Sequence, residues 1–370
     1  MVVQAAQDVN MESRKLCVAE HGNTRKLWEE IFQEDTKAFL DYYYEEKTKD
    51  NKMFVMEEEK QIIGMLHLNP YEMCINKKQY HTNYIVAVAT DAQYRKRGIM
   101  AELLKKSLEE MYERKEPITF LMPAAEAIYS PFDFRVFHKT EGKTFVGKEM
   151  RQGELSISYC EEKEAEKAAD FANAFLQEYD MAVWRDAAYY TRLEKEQQSE
   201  DGHVVIVRKA GEIVCTFCYA MGEQVEIREP IYRKEAEFLH ALHVLFGTQK
   251  VNCAGMTFMA RVVHLEMFLK SLPVKQDVDM CLEIQDSILK ENTGRYHIVA
   301  DSKRGVYTVE RTQAQPDVVL EMGELLEKVF EGTLRKVFLN EVVKKETKKN
   351  VSFYKLYYRA TMPKNICEHA

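Results

Sequence analysis

The chain has 370 residues, and no apolar run in it approaches the roughly 20 residues that cross a bilayer. No membrane partner is therefore expected. It also lacks an excess of positive charge: 52 Lys and Arg stand against 60 Asp and Glu, a net of −8. That balance argues against a general nucleic-acid binder and mildly favours small cationic partners. A cysteine framework is missing too, since eight cysteines are scattered from Cys17 to Cys367. Such usage fits a reducing compartment. The opening residues, "MVVQAAQDVNMESRK", show no basic-then-apolar leader pattern. Together these absences predict a cytoplasmic protein. No metal is expected either. Cys215 and Cys218 have metal or redox spacing, but on a strand they face opposite sides and no second pair accompanies them. His240 and His243 share a helix face, with no acidic or cysteine pattern to complete a site.

What is present is the composition of an ordinary folded protein, 46% apolar and 30% charged. The length exceeds what one hydrophobic core sustains, so two or three domains are expected. Residues 24–47 carry apolar side chains at helical spacing. Residues 53–90 read as an antiparallel meander with turns at 57–60 and 76–78, and 84–90 is apolar on both faces like a central strand. A helix follows over 99–115, with its stripe at 99, 100, 103, 104, 108 and 111, and then a strand over 117–124. The fold class is α/β (α+β).

Between the central strand and that helix lies "DAQYRKRGIM", with three cations just before a glycine. The junction reads either as a solvated turn or as a phosphate cradle, because a helix N-terminus offers unpaired N–H groups and a positive dipole end. Strand, "YRKRGIM" and helix together resemble the acetyl-CoA-binding motif of the Gcn5-related N-acetyltransferases (GNAT enzymes). That motif runs Arg or Gln, two residues, Gly, one residue, then Gly or Ala. Arg95, Lys96, Arg97, Gly98 and Ile99 fit it, and Met100 stands where a small residue is usual. The resemblance implies acetyl-CoA as co-substrate. It places the pyrophosphate on the backbone of residues 95–100 and the thioester carbonyl beside Ala87, Val88 and Ala89.

A second stretch, "PAAEAIYSPFDF" at 123–134, resembles the equivalent segment of the Eis (enhanced intracellular survival) branch of GNAT enzymes. By that resemblance Ala124 and Ala125 line the cofactor and Tyr129 protonates the departing CoA thiolate. A phenol with a reference pKa of about 10 is protonated at neutral pH and suits that task. The alternative is that Tyr129 simply packs. The remaining order also resembles Eis proteins. It consists of a GNAT domain at 1–150, a second and degenerate GNAT-like domain at 151–277 whose loop "REPIYRKEAE" lacks the motif, and a sterol-carrier-protein-like α+β domain at 278–370.

The resemblance implies direct attack by a primary amine in a ternary complex, with an aminoglycoside, polyamine or lysine-type acceptor, and assembly as a homohexamer. Asp41, Tyr42, Tyr43 and Glu45 are candidates for holding the cationic amine. In the Eis branch the terminal carboxylate serves as proton acceptor, which here would be that of Ala370, although the branch usually ends in an aromatic residue. Glu126 and Glu368 are the other candidates for a base. The competing function is a non-catalytic acyl-CoA- or lipid-binding scaffold, favoured by Met100, by the non-aromatic last residue and by the C-terminal domain type.

Overall fold

The computed structural model describes residues 11–150, 155–179, 181–272, 277–301, 303–304 and 306–330. In chain order the first stretch forms β1 (Met11–Lys15), α1 (Arg25–Ile31), α2 (Lys37–Glu45), β2 (Lys52–Glu58), β3 (Gln61–Ile75) and β4 (Lys78–Thr90). It continues with α3 (Ile99–Glu113), β5 (Ile118–Leu121), the single turn α4 (Glu126–Tyr129), β6 (Arg135–Thr140) and β7 (Lys143–Val146). The second stretch forms β8 (Leu155–Tyr159), α5 (Glu162–Leu176), β9 (Met181–Val183), α6 (Ala187–Gln198), β10 (His203–Lys209) and β11 (Glu212–Met221). Then come β12 (Val225–Tyr232), α7 (Glu235–Phe246), β13 (Lys250–Cys253) and β14 (Met256–Val262). The third stretch comprises α8 (Leu265–Ser271), β15 (Val278–Gln285), β16 (Gly294–Asp301), β17 (Val306–Arg311), β18 (Val318–Glu321) and α9 (Met322–Phe330).

Local chemistry explains the hairpins. Glu59–Lys60 and Asn76–Lys77 are residue pairs at positive φ, the backbone that a two-residue hairpin with right-handed strand twist requires. The strands assemble into three sheets. The first runs β1-β2-β3-β4-β5-β14-β6, with β9 also paired to β3. The second runs β7-β13-β12-β11-β10-β8, and the third runs β17-β16-β15-β18. The chain is thus a mixed α/β protein of two large sheets followed by a smaller α+β unit. The two large sheets exchange strands: β14 is seated between β5 and β6 of the first, while β7 pairs with β13 in the second.

Helix α3 covers one face of the first sheet through Ile99, Leu103, Leu104, Leu108 and Met111. Gly64 lets it lie close, because a Cβ there would stand 2.5 Å from Ile99 Cγ2. Helices α1 and α2 cover the opposite face, where Trp28 and Tyr43 are fully buried. The Cys215 and Cys218 thiols pack into separate clusters on opposite faces of β11, as strand alternation dictates.

Candidate active site

The site begins where β4 leaves its neighbour. Parallel pairing with β5 ends at Ile85↔Leu121, whereas β4 continues to Thr90 against β3. In that β3 ladder Met65 faces Ala89 but His67 faces Val86, so Ala87 and Val88 stand opposite Leu66 alone. This is a β-bulge, and Ala87 sits in it at φ +51°. A bulge bends its strand and strengthens the local twist. The result is an opened edge: β4 backbone beyond Ile85 has no β5 partner, so the polar groups that it turns away from β3 are available to a ligand. Ala87 and Ala89 are buried and Val88 half-buried, so small side chains line the opening.

The loop after β4 turns on Asp91, whose Oδ1 accepts from Gln93 N at 2.8 Å. Arg95, Lys96 and Arg97 are all exposed. Arg97 folds back over the Tyr94 ring at 4.9 Å, and Tyr94 donates to Glu58. Gly98 caps α3 at φ +80°, in left-handed backbone, and its carbonyl accepts from Glu102 N at 3.0 Å. The N–H groups of the first turn therefore point outward beside three cations, an anion cradle. A Cβ on Gly98 would meet nothing within 4 Å, so its need for glycine is conformational and the space in front of it is open. Met100 is half-buried against the α3 core, so its bulk leaves the cradle clear.

Tyr129 ends α4 and is buried, 5.9 Å from Phe134 in an edge-to-face contact. Burial pushes its hydroxyl pKa above the ordinary value, so it is a neutral proton donor. Ala125 is the N-cap of α4 and half-buried; Ala124 and Glu126 are exposed, and Glu126 Oε1 lies 3.7 Å from Lys139 Nζ. The terminal carboxylate of Ala370, and Glu368, lie outside the described residues.

The structure scatters the four acceptor candidates on α2. Asp41 is engaged by Lys37 at 2.6 Å and Arg25 at 2.7 Å, which hold its carboxyl below the usual range. Glu45 is exposed. Tyr43 is a core residue: its hydroxyl meets His67 Nδ1 at 3.0 Å and accepts from Asn51 Nδ2 at 3.1 Å. Burial drives the His67 pKa to about 3, so that ring is neutral. Tyr42 does face another unit, donating to Glu196 Oε2 on α6 at 3.2 Å. Beside it lies Lys47, which nothing in the sequence marks, buried with its Nζ 4.8 Å from the Tyr71 ring centroid. Burial lowers Lys47 to about 8 and raises Glu196 to about 8. Tyr71 packs in turn against Tyr84 and Phe120, at 6.4 and 6.3 Å, where the pairing of β4 with β5 ends. This polar and aromatic wall joins α2, β3 and α6, which lie far apart in the chain.

The second sheet keeps the geometry and loses the site. In the β11–β12 ladder Thr216 faces Ile231 but Cys218 faces Arg228, so β12 bulges at Glu229 and Pro230, and Glu229 sits at φ +50°, the position that Ala87 holds on β4. Glu229 is buried in an ion pair with Arg185 at 2.9 Å and accepts from Tyr189 at 2.9 Å, so side chains fill this opening. Only Arg233 and Lys234 separate β12 from α7, whose first turn carries Glu235 and Glu237. Carboxylates there repel phosphate. Among the described residues no group of three His, Cys, Asp or Glu is placed to hold a metal. His240 Nδ1 accepts from Met150 N at 3.0 Å and its ring stacks near His243.

An opened central strand leading into a glycine-capped, cation-flanked helix suits an elongated ligand that carries phosphate. Residues 12–137 match the acetyltransferase (GNAT) domain family, and residues 265–335 match the sterol carrier protein domain family. The first of these domains makes the protein an enzyme of the acetyltransferase type. No curated protein matches the chain. Solved structures resemble it in fold. A probable N-acyltransferase from Enterococcus faecalis V583 is 16% identical, with a TM-score of 0.75 over 90% of this chain and 97% of that one. A Gcn5-related N-acetyltransferase from Anabaena variabilis is 15% identical, with a TM-score of 0.72 over 87% and 90%. Eis1 from Mycobacterium abscessus is 13% identical, with a TM-score of 0.63 over 85% and 88%.

Proposed function

We propose that the protein is an Eis-like N-acetyltransferase that moves the acetyl group of acetyl-CoA to a primary amine by direct attack in a ternary complex. The observation that carries this reading is the Ala87 bulge placed directly before the Gly98-capped helix. Backbone donors of residues 98–100 would hold the pyrophosphate, with Arg95, Lys96 and Arg97 screening its charge. Backbone groups around Ala87, Val88 and Ala89 that β3 leaves free would take the thioester carbonyl, with Ala124 and Ala125 opposite. As the amine nitrogen bonds to the acetyl carbon and the carbon–sulfur bond breaks, Tyr129 would give its proton to sulfur, and the terminal carboxylate of Ala370 would accept through water the proton that the nitrogen loses. The acetyl-CoA supplies the activated acyl group; everything else is positioning by this chain.

An acceptor of the aminoglycoside, polyamine or lysine type fits the surplus of acidic residues, and the Tyr42, Tyr71, Lys47 and Glu196 wall is the surface it would meet. Function in the cytoplasm rests on the scattered cysteines; the division at 1–150, 151–277 and 278–370 and a homohexameric assembly rest on the sequence resemblance. The test is thiol release from acetyl-CoA with spermidine, kanamycin and a lysyl peptide offered separately. Turnover with any one of them, giving the N-acetylated product by mass, supports the reading. Tight acetyl-CoA binding with no amine acetylated would sink it and favour a scaffold.

A further inference from the structure

Tyr129 ends a helix of one turn, and so short a helix does not hold its own shape in water. Two arginines fix it, and each also reaches a carboxylate of the C-terminal unit. Arg135 on β6 donates from Nη1 to the Ser130 and Phe134 carbonyls, both at 3.0 Å, and from Nε to Glu327 Oε1 at 2.5 Å. Arg261 on β14 donates from Nε to the Phe132 carbonyl at 2.9 Å and from Nη2 to Asp286 Oδ1 at 2.7 Å. Asp286 is itself pinned: Ile288 N and Leu289 N donate to Oδ1 at 3.0 and 2.9 Å, and Asn292 Nδ2 donates to Oδ2 at 2.9 Å. A third link runs from Gly323 N, in the first turn of α9, to the carboxyl of Asp133. A Cβ on Gly323 would lie 2.4 Å from Arg135 Nη2, so α9 rests directly on that guanidinium.

Arg261 and Asp286 are both fully buried. A buried ion pair is an expensive adhesive, and apolar contact would join two units as well. What the charged groups add is direction, because a guanidinium fork fixes the carbonyls that it bridges. We propose that the C-terminal unit is a clamp on the Tyr129 turn: docking of β15 and α9 sets the position of the hydroxyl that protonates sulfur. Arg135 and Arg261 are its positioning residues. This inference rests on the reading of Tyr129 as the acid.

The test measures thiol release from acetyl-CoA with a fixed mixture of spermidine, kanamycin and a lysyl peptide. Arg135→Met, Glu327→Gln and Arg261→Lys are each made alone and combined with Tyr129→Phe. Misplacement by about 1 Å can cost up to ~10²-fold, so each single variant should lose roughly tenfold in kcat, with acetyl-CoA affinity unchanged. In the Tyr129→Phe background none should lose more, because the hydroxyl they position is gone. Arg135 and Glu327 reach solvent, so their variants carry the test if Arg261→Lys does not fold. Full kcat in Arg135→Met and Glu327→Gln, or an equal loss with and without the Tyr129 hydroxyl, overturns the clamp. Full activity of Tyr129→Phe alone removes instead the acid reading on which it stands, and absence of thiol release by the unaltered enzyme removes the functional reading itself.

Discussion

Tyr129 shows how one side chain's surroundings select its chemistry. Buried against Phe134, its phenol holds its proton above the usual range, so no loss of the acid form is expected across neutral pH. Tyr129→Phe keeps the packing and removes the proton; kcat should fall ~10²-fold with acetyl-CoA affinity intact. Equal rates would make the residue a packing aromatic. Gly98 poses a different question, since both backbone and ligand can demand a glycine. At φ +80° most side chains are strained, but asparagine tolerates that region. Calorimetry on Gly98→Val and Gly98→Asn separates the two demands. Both should weaken acetyl-CoA, because each adds bulk to the open space of the cradle. Recovery in Gly98→Asn would mean that the requirement is conformational only, and unchanged affinity in both would remove the cradle. Gly98 was legible in the sequence because glycine follows charge at the point where the hydrophobic period changes from 2 to 3.6. Ala87 was not: nothing distinguishes an alanine in a bulge from one in a regular strand. Lys47 and Glu196 were equally silent, since each looks like an ordinary surface residue until α2 and α6 bring them together.

Among the elements, β12 repeats β4 down to the bulge, yet its opening is filled by the Glu229–Arg185 pair and α7 begins with acid. Calorimetric titration should therefore find one acetyl-CoA per chain. Two equivalents would show that the second sheet retains a working site. The contact of α2 with α6 makes a pH prediction. Glu196 has its folded pKa raised by burial to about 8, against about 4.3 for a free glutamate. A group raised in this way contributes stability at acid pH and loses it as pH climbs from about 4 to about 8. Tm against pH should decline across that window, and Glu196→Gln should flatten the decline. An identical slope in the variant would mean that the carboxylate is already compensated. The helix α3 was legible from periodicity alone, and so were the hairpins at 59–60 and 76–77. The destination of each strand was not.

That last gap governs the whole molecule. The residues 256–262 carry no address for the sheet they join, and β14 lies in the sheet of the first stretch, not with its sequence neighbours. Its Met256, Phe258, Met259, Ala260 and Val262 are buried there between β5 and β6. A fragment ending at residue 150 would lack this strand, and the adjoining edges of β5 and β6 would stand unpaired over exposed apolar surface. β7 would likewise be left without β13. The fragment carries every cofactor-binding residue and Tyr129, so a modular chain would bind acetyl-CoA with it alone. The exchange predicts the opposite: residues 1–150 should be aggregated or lack cooperative unfolding by circular dichroism, while residues 1–272 should melt in one transition and bind acetyl-CoA. Because β14 also carries Arg261, that longer fragment should bind normally yet turn over slowly, with the Tyr129 turn no longer held by Asp286 and Glu327. A soluble 1–150 fragment that binds acetyl-CoA as tightly as the full chain would show that strand exchange is not required for the fold.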